Sequence, residues 1–266
     1  MVVLNTSCNV GAQKSDADNN NTIDGNRYIP FNSASKTIHV FVALCDNKYQ
    51  GIVPAPAKIG NGQDAETNLY WGGLWGVRTF FNKSREWQLL KSYNIDTLIL
   101  QRLIYKHKTA NFYLVADAYN GKYIKRCTAD FLNSCAGKSK DTLTVNNTIG
   151  INGNAKLLAY IGHDGLMDFK LNDEYMNVDR QQRDAIILAC ISQQYFAPYM
   201  RSSNTRPLVW TTGLMCPEAY TLHDALSAYV KGDNATIVRK QAAMAYAKYQ
   251  HCGDKAALDL LVSGVN

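Results

Sequence analysis

Two reactive side chains stand where apolar segments run out. Leu157-Leu158-Ala159-Tyr160-Ile161 leads into Gly162-His163-Asp164-Gly165, and Ile186-Ile187-Leu188-Ala189 leads into Cys190-Ile191-Ser192. If both segments are strands of one parallel sheet, the histidine and the cysteine lie beyond the carboxyl ends of successive strands, where open α/β sheets bind ligands. They are 27 positions apart. A right-handed crossover sets two such strands side by side or one apart, so imidazole and sulfur can share one mouth. The chemistry open to the pair is nucleophilic: the thiolate attacks, a free thiol is mostly protonated at neutral pH, and an adjacent imidazole takes its proton. Glycines at 162 and 165 leave room for a substrate carbonyl. The backbone N–H groups of Gly165 and Cys190 are candidate donors to an oxyanion.

Other side chains reach the same end of the sheet. Trp210, Thr211 and Thr212 close a further apolar segment and are candidate substrate contacts. Asp117 ends an earlier one and is a candidate pocket carboxylate, with a turn or capping role in Asp117-Ala118-Tyr119-Asn120-Gly121 as the alternative. Gly60-Asn61-Gly62-Gln63-Asp64 lacks the Lys-Ser/Thr ending of a phosphate-binding loop. No Gly-x-Ser-x-Gly elbow is present, and His163, Cys190, Cys216 and His223 lack the tight spacing of a metal site, so neither a serine hydrolase nor a bound metal or other cofactor is expected.

The elements that must position these residues follow from apolar patterning. Strands are expected at Ile38 to Cys45, Asn111 to Asp117, Lys156 to Gly162, Ala185 to Ile191 and Pro207 to Thr212. Helices are expected at Leu69 to Phe81, Lys122 to Ala136, around Val178 to Arg183, and in the C-terminal third at Pro217 to Val230, Ala235 to Tyr249 and Asp254 to Val262. Thr97 to Tyr105 fits either state. Short, continuously apolar strands between helices predict an α/β fold, a three-layer α/β/α sandwich around a mostly parallel sheet with a helical C-terminal part. Residues 1 to 36, rich in Asn, Asp, Ser and Lys, read as a flexible arm before a single domain from 37 to 266.

Composition excludes several function classes. The 28 basic and 22 acidic residues leave a net charge of +6, but the basic ones are scattered, and the short stretch Arg102 to Lys108 is no nucleic-acid stripe. No apolar run is long enough for a membrane-spanning helix. The seven cysteines contain no Cys-x-x-Cys, and their odd number leaves at least one thiol without an intramolecular partner. Sixteen tyrosines and the many asparagines suggest a secreted or cell-envelope protein whose leader is not in this chain. Oligomeric state is left open.

The two strand endings, Gly162-His163-Asp164-Gly165 and Leu188-Ala189-Cys190, resemble those of the caspase-like cysteine peptidases, the clan that includes metacaspases, legumains, gingipains and clostripain. The likeness extends over residues 38 to 212 as topology and over about seven residues as motif. It implies a caspase-like fold, His163 as general base, Cys190 as nucleophile, and cleavage of peptide bonds in a peptide or protein substrate through a thioester. Asp164 intervenes between histidine and glycine, and the 27-residue spacing implies a shortened specificity loop. The alternative is a catalytically inactive module of that fold, binding a peptide or glycan through a cleft rimmed by Trp71, Trp75 and Trp210.

Overall fold

A computed structural model describes residues 33–265. Ten strands and six helices follow one another among them. The strands are β1 (Lys36–Ala43), β2 (Trp87–Tyr93), β3 (Ile99–His107), β4 (Phe112–Tyr119), β5 (Lys140–Thr144), β6 (Thr148–Asn152), β7 (Leu157–Ile161), β8 (Asp184–Leu188), β9 (Arg206–Thr211) and β10 (Leu261–Val262). The helices are α1 (Val77–Asn82), α2 (Ile124–Cys135), α3 (Ser192–Ser202), α4 (Ala219–Lys231), α5 (Ala235–Gln250) and α6 (Asp254–Leu260).

The fold is α/β, built on a mixed, mostly parallel sheet of eight strands in the order β10-β9-β8-β7-β1-β4-β3-β2. Its five central strands, β9, β8, β7, β1 and β4, are parallel, while β10 and the pair β3 and β2 are antiparallel additions at the two edges. β5 and β6 form a separate hairpin. The central strands are buried along their length because both faces are covered, which is why they are continuously apolar rather than alternating. Ile38, Val40 and Val42 of β1 join a cluster with Phe81, Tyr220, Leu222 and Ala243 from α1, α4 and α5. The alternate residues Phe41 and Ala43 face a second cluster containing Phe131 and Leu132 of α2 and Phe196 and Met200 of α3.

Some expected elements differ. Leu69 to Phe81 is helical only from Val77, because the chain before it folds into tight turns in which the backbone N–H of Gly73 bonds the carbonyl of Asn68 and that of Gly76 bonds Gly73. Val178 to Arg183 is no helix: Asn177 and Asp179 side chains accept backbone N–H groups from residues 179 to 181 and hold bends instead. The ambiguous segment Thr97 to Tyr105 contributes β3. Of the arm expected over residues 1 to 36, residues 1 to 32 lie outside the described residues, and Lys36 already belongs to β1.

Candidate functional site

β7 and β8 are immediate neighbours, with Ile161 paired to Leu188 at their carboxyl ends. His163 and Cys190 each follow two residues later, so the backbone delivers both side chains to one rim of the sheet. Gly162 makes the exit from β7. Its φ of 146° is strained for other residues, and a Cβ there would stand 2.6 Å from the Ala43 carbonyl oxygen of neighbouring β1. Tyr160, buried against α2, donates its hydroxyl hydrogen to the His163 carbonyl at 2.9 Å and fixes the backbone at the histidine.

The exit from β8 is strained in another way. Ile191 adopts the left-handed region (φ 50°), a conformation that a β-branched residue rarely takes, and forms the cap from which α3 begins. Its N–H donates to the Gly213 carbonyl at 2.8 Å. The cysteine therefore sits on a sharp strand-to-helix turn between two elements that overdetermine it, the kind of place where backbone strain accompanies a site.

Around the imidazole, Nε2 lies 2.7 Å from Asp168 Oδ2. Around the thiol, Cys190 Sγ is 3.5 Å from the Met215 carbonyl oxygen and 3.4 Å from its backbone nitrogen. Among the described residues no hydrogen bond joins His163 to Cys190. Burial pushes the Cys190 thiol up, the Met215 backbone offsets part of that, and the Asp164 carboxyl adds to the rise. Asp164 is itself fully buried; one carboxyl oxygen accepts the Leu166 N–H at 3.0 Å and the other has no partner. Burial, opposed by that N–H and reinforced by Asp168, pushes its carboxyl up to about 7.

Gly165 opens a short 3₁₀ turn, Gly165–Met167, on the histidine side of the mouth. At the start of α3 a cavity of about 450 Å³ is lined by Ile191, Gln193, Gln194, Ala197, Trp210 and Thr212, with Cys190 outside the lining. Trp210 and Thr212 thus line this cavity, although Trp210 is fully buried and Thr212 also donates to the Asp259 carbonyl.

Two expected substrate contacts are corrected. Thr211 is fully buried, donates to the Ala189 carbonyl and accepts the Ser192 N–H at 3.1 Å, so it staples β9 to the turn carrying Cys190 and faces no mouth. Asp117 is no pocket carboxylate. It lies inside the sheet, gripped by Arg102 at 2.5 and 2.6 Å and by His39 Nε2 at 3.0 Å. Burial works against its charge, but these hydrogen bonds hold the carboxyl below its ordinary range. The aromatic rim is corrected as well: Trp71 is buried with Nε1 donating to Gln101 at 2.6 Å, Trp75 packs edge-on against Tyr220 and Tyr249, and Trp210 is in the core.

Asp168, Asp164 and Met215 are the neighbours that sequence reasoning missed. Asp168 had a local signal, an acid five positions after His163; Met215, 25 positions from Cys190, had none. His223 bonds Ser84 and Asp224 rather than His163 or Cys190, and among the described residues no group of three metal-ligating side chains gathers. The six described cysteines are free thiols, and no described helix is long and apolar enough to cross a membrane. Compared with known proteins, the chain matches no family model, no curated protein and no solved structure.

Proposed function

We propose that this chain is a cysteine endopeptidase of caspase-like, three-layer architecture, with Cys190 as nucleophile and His163 as general base. The observation that carries the reading is the pairing of Ile161 with Leu188, which places both residues just beyond the carboxyl ends of adjacent parallel strands. The strained turn at Ile191 supports it. In this reaction the Cys190 proton passes to His163, the thiolate attacks the peptide carbonyl, and the N–H groups of Gly165 and Cys190 receive the oxyanion. Collapse breaks the C–N bond, the imidazolium proton goes to the departing amine, and water hydrolyses the thioester. The cavity at the start of α3, whose lining begins one residue after Cys190, has no charged side chain, which suits an uncharged substrate residue. Composition supports secretion or a cell-envelope location.

The test is alkylation of Cys190 by iodoacetamide across pH, with turnover of a peptide library on the same samples. Selective labelling that survives below about pH 7 and disappears in His163→Ala supports the peptidase. Slow labelling, the same with and without His163, overturns it.

A second reading, an inactive module of the same architecture that binds a peptide or glycan, draws on the resting state of the thiol. Burial and Asp164 both disfavour the thiolate, and the imidazole is engaged elsewhere. Peptide binding without turnover by the intact protein distinguishes this reading.

A further inference from the structure

We infer that Asp168 is a positioning residue for the dyad: it holds His163 as the tautomer whose Nδ1 is left to receive the Cys190 proton. The role of Nδ1 rests on the peptidase reading; the pairing of Asp168 with His163 does not. A carboxylate only accepts hydrogen bonds, so the ring nitrogen 2.7 Å from Asp168 Oδ2, Nε2, carries a hydrogen. A neutral imidazole then keeps its lone pair on Nδ1. Among the described residues nothing hydrogen-bonds Nδ1.

The carboxylate is brought there by two pieces of backbone. The 3₁₀ turn after His163 returns the chain over the ring, with the Asp168 N–H bonded to the Gly165 carbonyl at 2.9 Å. The loop that follows β1 supplies the second restraint: the Gly51 N–H donates to the same Oδ2 at 2.9 Å. Gly51 approaches so closely that a methyl group on its Cα would overlap the Asp168 carboxylate. That absence of a side chain lets one oxygen serve both the loop and the imidazole, and it couples the histidine to a loop standing on a different strand.

The other titratable groups do not take over this role. Asp164, the residue that follows His163, is pushed up by burial and turns one oxygen to the Leu166 N–H. Lys125 lies over the ring of Phe169, 5.7 Å from its centroid. Tyr70, Cys216 and Tyr246 are the titratable neighbours on the Cys190 side.

The experiment uses the full chain with Cys8→Ser, Cys216→Ser and Cys252→Ser, which removes the two exposed thiols among the described residues and the one cysteine outside them. Ring-nitrogen NMR of His163 and the rate of Cys190 alkylation by iodoacetamide at about pH 7 are compared for this protein, Asp168→Ala and Gly51→Ala, with thermal unfolding confirming that each is folded. We expect one tautomer, hydrogen on Nε2, in the starting protein. Each substitution should yield mixed tautomers and alkylation slower by about tenfold. An unchanged tautomer and an unchanged rate in Asp168→Ala overturn the proposal. Gly51→Ala tests the same link without altering either partner, so an Asp168→Ala effect that it does not reproduce assigns the change to lost charge and overturns the loop coupling. If alkylation is indifferent to His163→Ala, the peptidase reading fails, and the ring spectrum still decides whether Asp168 sets the tautomer.

Discussion

The sulfur of Cys190 touches both backbone polar atoms of one residue, Met215, at 3.5 Å from its oxygen and 3.4 Å from its nitrogen. The thiol therefore rests as a donor to a carbonyl, against the loop that follows β9. That loop packs against the thiol, and its distance from the sulfur is set by two weak sulfur hydrogen bonds.

Cys190→Ala removes one partly buried sulfur and those two bonds, so the fold should lose at most about 1 to 2 kcal/mol. On the proposed peptidase reading, peptide hydrolysis should fall by several orders of magnitude because the covalent route is gone. Thermal unfolding and turnover measured on the same preparation check both; hydrolysis undiminished in the Ala variant would refute the nucleophile.

Asp164 makes stability pH-dependent. Its carboxyl rises from the ordinary 3.8 to about 7 in the folded chain. Below about 4 both states are protonated and the fold has its full stability. As pH climbs toward about 7 only the unfolded chain loses the proton, so stability falls across that window, by up to about 4 kcal/mol, and then levels off. Asp164→Asn keeps an oxygen for the Leu166 N–H and cannot ionise. Urea unfolding should show it more stable than the parent at about pH 8 and nearly equal at about pH 4; an equal fall in both proteins counts against a buried, raised carboxyl.

Arg102 and Asp117 form an ion pair in which the carboxylate is fully buried. Arg102→Met leaves that carboxylate with His39 alone and should cost about 3 kcal/mol. Replacing both, as Arg102→Met with Asp117→Leu, should recover a good part, since the uncompensated charge is gone. A double variant less stable than the single one in denaturant titrations would contradict this account.

Gly162→Ala places a methyl group against the Ala43 carbonyl in a backbone conformation that L residues avoid. The expected loss is about 2 to 3 kcal/mol, with His163 displaced in the protein that still folds. A melting temperature within a degree or so of the parent would show that the exit from β7 relaxes freely.

Much of the scaffold is legible in the chain because burial on both faces leaves a plain mark. β1, β4, β7, β8 and β9 are runs without a charge in their middles, except for His39 and Asp117, and the sequence places their ends to within three residues, the widest gap being at β8, expected to run to Ile191 and ending at Leu188. α3 left little trace: Ser-Gln-Gln-Tyr-Phe-Ala-Pro carries few helix signals, and the segment is helical because Phe196 and Met200, one turn apart, bury against the sheet. Leu69 to Trp75 shows the opposite failure, an apolar period whose glycines turn the chain before a helix can form.

The sequence by itself determined that a histidine and a cysteine follow two strand-length apolar runs, since local patterning specifies where a strand stops. Only the tertiary structure decided that these strands are neighbours, because hydrogen-bond pairing between segments 27 positions apart is not a local property. It also decided which polar residues leave the site. In a sheet covered on both faces either side of a strand leads into a core, so Asp117 and Thr211 could not be assigned to mouth or interior until Arg102, His39 and Ser192 stood opposite them. Asp168 belongs to the same class: its position five residues after His163 is plain in the chain, but the direction of its carboxylate depends on a 3₁₀ turn and on Gly51, which only the folded chain brings together.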